Sequence, residues 1–220
     1  MNNYLSIIRR ISIFLIFIVG TQNVFAWTAQ GASGIWSFPV PGGWYGGSYY
    51  QIMKVIKDAE QRGEGDQLHI QILRSLSREA RGLDAILFHI ESSADGKHGN
   101  ASFLKINITP ATGTNDGFPS IDKLTTELFL KLGTRILGST PGATDIKLLN
   151  HQEDLTIMGN RAAAVNYKLT MGGGRDDRYD GTVFIYRQTS VMTFNISAPW
   201  HVNSERHKEM WDMLRSIRFK

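Results

Sequence analysis

The sequence predicts an α+β fold, an antiparallel sheet with helices packed on both faces. Two observations point there. Stretches of alternating apolar and polar residues recur along the chain and crowd the region between 145 and 197. Apolar residues spaced three and four apart mark helices early, mid-chain and at the end.

Residues 1–26 carry a leader pattern. Arg9 and Arg10 precede an apolar run at 11–20, and a short polar stretch ends in Val24-Phe25-Ala26, with small residues at the positions before a cleavage site. The run is half of the roughly 20 residues that a spanning helix needs. The expectation is a cleaved signal peptide and one soluble domain, 27–220, exported to the periplasm or secreted.

Residues 27–35 are small and polar and read as a loose leading segment. A strand at 36–40 runs into Pro41-Gly42-Gly43, which turns the chain into Trp44-Tyr45-Gly46-Gly47. Tyr49, Ile52, Met53 and Ile56 then recur at helical spacing until Gly63 and Gly65. Asp66 can cap a second helix with Leu68, Ile72, Leu76 and Ala80 on one face; Leu68, Ile70 and Ile72 also alternate, which suits a strand. Strands are expected at 85–91 and 102–109, separated by a turn-rich stretch.

The helix at 120–137 has the clearest periodicity. Ile121, Leu124, Leu128, Leu132 and Ile136 form its stripe, and Glu127 and Lys131 can pair one turn apart. Strands follow at 145–150, 155–158, 162–171, 181–187 and 190–197, with Gly172-Gly173-Gly174 and Asp180-Gly181 bounding a hairpin loop. After Pro199, Asn203 or Ser204 starts a last helix with Met210, Leu214 and Ile217 facing inward.

Four segments, in this order, resemble the PsbP-like family. They are FPVPGGW from Phe38, IMGNRAAAVNY from Ile157, TVFIYRQTSVMTFNIS from Thr182, and Pro199-Trp200 leading to a helix that closes with MLRSIRF from Met213. The resemblance covers most of 27–220. The helical pair at 49–81 is longer than the family pattern. What it implies is a fold and a style of action: family members are mostly non-enzymatic accessory or assembly proteins that bind a partner, and no catalytic set carries over.

Composition excludes several chemistries. The chain has no cysteine, so disulfides, thiolate catalysis, thiolate metal sites and lipid attachment at a post-leader cysteine are all closed to it. Its length allows a core that buries roughly 70% of the unfolded surface, so it needs no staple. Two of the 24 lysines and arginines belong to the leader, leaving near-neutrality against 20 acids and no basic run of the kind nucleic acids require.

The candidate binding residues are aromatic. Trp44, Tyr45, Tyr49 and Tyr50 sit among glycines that give a ligand room, and Trp200-His201 follows the last strand. Trp44 is read as a core cap at a strand end, and Tyr45 and Tyr50 as more exposed. The six histidines show no two-histidine pair at helical i, i+4 spacing, so no metal site is expected. Asp176, Asp177 and Asp180 lack the alternation of a calcium loop and read as a solvated hairpin tip. No nucleophile elbow or phosphate loop occurs. The expectation is an exported, non-catalytic protein that binds a protein partner, without a cofactor. The competing expectation is a secreted hydrolase with a site near Trp200-His201 and the 42–50 loop.

Overall fold

The computed structural model describes residues 27–91, 100–110 and 126–220. The predicted leader lies outside these residues, as do most of the turn-rich stretch expected between 85–91 and 102–109 and the start of the 120–137 helix, with Ile121 and Leu124. The elements run β1 (Trp27–Gln30), β2 (Trp36–Val40), β3 (Trp44–Gly47), α1 (Tyr49–Gln61), α2 (Leu68–Ala80), β4 (Ala85–Glu91) and β5 (Asn100–Pro110). Then come α3 (Thr126–Ser139), β6 (Ala143–Ile157), β7 (Asn160–Met171), β8 (Arg178–Tyr186), β9 (Ser190–Pro199), α4 (Asn203–Arg215) and β10 (Arg218–Phe219). Seven strands form one antiparallel sheet in the order β3-β4-β5-β9-β8-β7-β6; β1, β2 and β10 form a second.

The small sheet corrects the expectation of a loose segment at 27–35. Trp27 to Gln30 pairs along β2, and β10 closes the other side. Buried Asp84 pins this hairpin to the start of β4. Its carboxylate accepts the Trp36 indole N–H and, at 2.8 and 3.1 Å, the Ser33 backbone N–H and hydroxyl. Ser33 and Trp36 reach Asp84 across 51 and 48 residues, a contact that local periodicity does not announce.

Residues 44–47, expected within the 42–50 loop, form the edge strand β3. Gly46 makes this possible: a Cβ there would lie 2.2 Å from the Ile86 carbonyl oxygen, so only glycine lets the backbones close. The stretches 145–150 and 155–158 are one strand, β6, whose register shifts at three places along β7. Strand β8 begins at Arg178, so Asp180-Gly181 lies within it and does not bound the loop.

Both early helices form. Ser48 and Gln51 make a reciprocal capping box at the start of α1. Helix α2 settles the choice left open at Leu68, but its cap position is Gln67 and not Asp66. Its buried face is Ile70, Leu73 and Ala80, while Leu68 is exposed. Packing against α1 and β4 turned the helix by about one residue from the face the spacing suggested. In α3, Glu127 and Lys131 pair at 2.8 Å, and Phe129 is the fully buried residue, with Leu128, Leu132 and Ile136 around it.

Alternate residues of the large sheet join different clusters. Ala85 and Leu87 of β4 pack with the small sheet and with Met210, Met213 and Leu214 of α4. Ile86 and Phe88 pack with α1 and α2. On β7, Ala162 and Ala164 join the α4 cluster, and Ala163, Val165 and Tyr167 join that of α3.

Leu214 is 0% exposed at the centre of α4's inner stripe, and Lys208 is exposed. Leu214→Ala should therefore cost about 2–5 kcal/mol, and Lys208→Ala under about 0.5 kcal/mol. Denaturant melts of the two variants compare them; equal effects would make α4 an appendage and not part of the core.

Candidate functional site

Helix α4 turns different side chains to its two flanks. Arg206 points to the β4–β5 side and is almost fully buried. Its Nε and Nη2 donate to both carboxylate oxygens of Glu91, at 2.7 and 3.1 Å, and Nη1 donates to Glu209 at 2.5 Å. Ser102 donates to Glu91 at 2.5 Å, and His89 Nδ1 lies 3.2 Å from the same carboxylate. The Trp44 indole N–H completes the cluster by donating to Glu209 at 2.8 Å. Burial alone would push the Glu91 carboxyl up; the nearby His89 ring and hydrogen bonds from Arg206 and Ser102 outweigh it and hold the group at about 2.

The opposite flank borders a cleft of about 450 Å³ between α4 and the β6–β7 hairpin. That volume falls within the range of ligand sites. A chain of hydrogen bonds forms its floor. The Trp211 indole N–H can only donate, so His207 Nε2 accepts it at 2.9 Å. The neutral ring then carries its proton on Nδ1, which faces the Tyr179 hydroxyl. Tyr179 donates to Asn166 Oδ1 at 2.5 Å, and Asn166 donates to Asn150 at 2.5 Å. Gly181 leaves the space: a Cβ there would lie 2.6 Å from the Tyr179 oxygen and 2.9 Å from Asn166 Oδ1.

The electrostatics agree with this polarity. Burial lowers the His207 pKa, keeping the ring neutral. Burial, reinforced by the Asp180 carboxylate, raises that of Tyr179, keeping the phenol a donor. Asp180 is itself pushed up to about 6 by burial, against the opposing pull of Arg178 and Ser197. Both His207 ring nitrogens are engaged within the network. Above this floor, Lys208 and Arg215 line the cleft with Gln152 and Leu155; no carboxylate is among its described lining residues, and Asp212 pairs with Arg215 at 3.4 Å.

The residues singled out in the sequence lie elsewhere. Trp44 is buried and belongs to the Arg206 cluster. Tyr45 is 36% exposed and stacks on His69 and Phe88, with ring centroids at 4.8 and 5.5 Å. Tyr49 is half-buried, accepts a bond from Arg81 at 3.0 Å and meets Tyr50 edge-on. Tyr50 is 73% exposed. Trp200 lies under the Lys168 ammonium, and His201 beside it is exposed. Strands β3 and β9 are three steps apart in the sheet, roughly 14 Å at the usual spacing. The cleft residues carried two signals in the sequence: His207 and Trp211 stand one helical turn apart, and Asn150 and Asn166 face each other across the β6–β7 ladder.

Folding lowers the Glu91 pKa, so its contribution is present above the ordinary value of 4.5 and is lost as pH falls toward 2. Glu91→Gln should cost about 3–5 kcal/mol at neutral pH by leaving the Arg206 charge buried without its partner. It should also flatten the loss of stability between pH 4.5 and 2. Denaturant melts at stepped pH check both.

No protein-family model matches this chain, and no curated protein does. Among solved structures, the cyanobacterial PsbP (CyanoP) of Synechocystis sp. PCC 6803 is similar over 88% of this chain and 92% of its own, at 13% identity and a TM-score of 0.54. A Pseudomonas aeruginosa protein of unknown function is similar over 61% of this chain and 83% of its own, at 12% identity and a TM-score of 0.39. The Saccharomyces cerevisiae Ran-binding protein Mog1p is similar over 88% of this chain and 94% of its own, at 9% identity and a TM-score of 0.45. At such identities the likeness to the cyanobacterial protein speaks for architecture alone: the chain has a PsbP-like fold.

Proposed function

We propose that this chain is an exported, non-catalytic binding protein that holds an acidic, extended segment of a partner protein in the cleft between α4 and the β6–β7 hairpin. The observation that carries the reading is the cleft's construction. Its polar floor is committed to an internal hydrogen-bond chain, while its upper wall offers Lys208 and Arg215 with no carboxylate among the described lining residues. A general base needs a nitrogen free to take a proton; His207 uses both of its own to hold Trp211 and Tyr179. What the wall presents to a partner is positive charge, the amides of Asn150 and Gln152, and the side chains of Trp211 and Leu155.

Strand β6 ends the sheet, and a partner strand could in principle add to it. Its three register shifts kink the edge and oppose that mode, so side chains in the cleft carry recognition. The layered arrangement, with helices against both faces of the sheet, belongs to this reading. The alternation of β4 and β7 residues between clusters supports it. Export rests on the leader pattern at 1–26. Tyr45 and Tyr50, and Trp200 with His201, stand as secondary contact points for a large partner.

The test is a titration of the full-length isotope-labelled chain with an eight-residue peptide alternating Glu and Ala, and with its Lys-Ala counterpart. The acidic peptide should shift the Trp211 indole and Asn150 amide signals and weaken as salt is raised. The pair Lys208→Glu and Arg215→Glu should reduce its affinity at least about tenfold, since like charges would then meet. Equal binding of the basic peptide, or shifts confined to other surfaces, would overturn the proposal.

A further inference from the structure

Strand β7 serves two sites. Ala164 and Asn166 line the α4 cleft, and the alternate residues Val165 and Tyr167 line a second cavity of about 230 Å³ beneath α3. One wall of this cavity is apolar, built by Leu132 and Ile136 of α3 and Phe184 of β8. The other is polar and uncharged, built by Asn107 of β5 and by Thr193 and Asn195 of β9.

The polar wall is underused. Thr193 is 6% exposed, and its hydroxyl has no hydrogen-bond partner among the described residues. A buried polar group left in that state costs stability, and native proteins leave few of them. Its neighbour Thr182 has a partner, donating to Asn195 Oδ1 at 2.8 Å. The Tyr167 hydroxyl is also spent, donating to the Phe129 carbonyl at 2.5 Å. Burial pushes that phenol up to about 12, so it brings no charge to the cavity.

We infer that this cavity binds a small neutral molecule with an apolar body and a hydroxyl or amide at one end. The apolar wall takes the body, and the Thr193 hydroxyl and the Asn195 amide take the polar end. Among the described residues no lysine, arginine or carboxylate lines the cavity, so a charged ligand would lose its hydration without a counter-charge. The volume is below that of drug-sized sites, which limits the ligand to about the size of a substituted benzene ring. The site is separate from the α4 cleft and does not depend on the peptide reading.

Benzyl alcohol is the probe, with toluene and benzoate as its apolar and charged counterparts, each titrated into the full chain and followed by the methyl signals of Ile136 and Thr193. Benzyl alcohol should bind, and benzoate should bind at least about tenfold more weakly. Thr193→Val keeps the shape and removes the hydroxyl; it should weaken benzyl alcohol about fivefold and leave toluene unchanged. Leu132→Trp should fill the cavity and abolish both. The inference is overturned if none of the three binds, if all three bind alike, or if Thr193→Val leaves benzyl alcohol unaffected.

Discussion

The buried pair of Arg206 and Glu91 is the constraint on which the rest of this structure turns. Two charges removed from water cost several kcal/mol each unless geometry and further hydrogen bonds compensate. Here the guanidinium fork meets both carboxylate oxygens, Ser102 takes up a further contact to Glu91, and Glu209 receives the remaining Arg206 nitrogen. The pair ties the first turns of α4 to the β4–β5 end of the sheet, and so sets the helix's rotation. With Arg206 on one flank, Met210, Met213 and Leu214 face the core, and His207 and Trp211 face β7 and β8. Lys208 and Arg215 then stand on the rim of the cleft. One rotation thus decides which side chains enter the core and which line the cleft.

Strand β7 meets a different requirement. Ala162, Ala163 and Ala164 lie on the strand next to the sheet's β6 edge and are almost fully buried. Small side chains here let larger groups come close: Met and Leu residues of α4 in one cluster, Phe129 and Phe184 in the other. Three residues along, the strand changes character. Asn166 enters the hydrogen-bond floor of the cleft, and Tyr167 reaches across to the Phe129 carbonyl. Scaffold and site are consecutive residues of one strand.

Much of the fold was legible in the sequence because it is written at short range. The periods of α1, α4 and β9, the Glu127–Lys131 pair and the glycines after α1 are local signals. What was missed depends on distant partners. Strand β1 exists because β2 receives it, in a hairpin that Asp84 holds through Ser33 and Trp36, and β3 because Gly46 permits contact with Ile86. The inner face of α2 was chosen by α1 and β4. The cleft was harder still. Arg206 and Glu91 are 115 residues apart, and Asn166, Tyr179 and His207 come from two strands and a helix. Aromatic residues among glycines drew attention to 42–50 instead, where Trp44 serves the clamp on α4.

On the proposed reading, α4 fixes a neutral hydrogen-bond floor that suits the cleft to binding. The ¹⁵N NMR signals of the His207 ring in the full chain test it most directly. The expected result is a neutral ring with its proton on Nδ1, protonating only below its ordinary value of 6.5, because burial opposes the charge and a proton on Nε2 would confront the Trp211 N–H. A ring that is already an imidazolium above pH 6.5, or one carrying its proton on Nε2, would contradict the account.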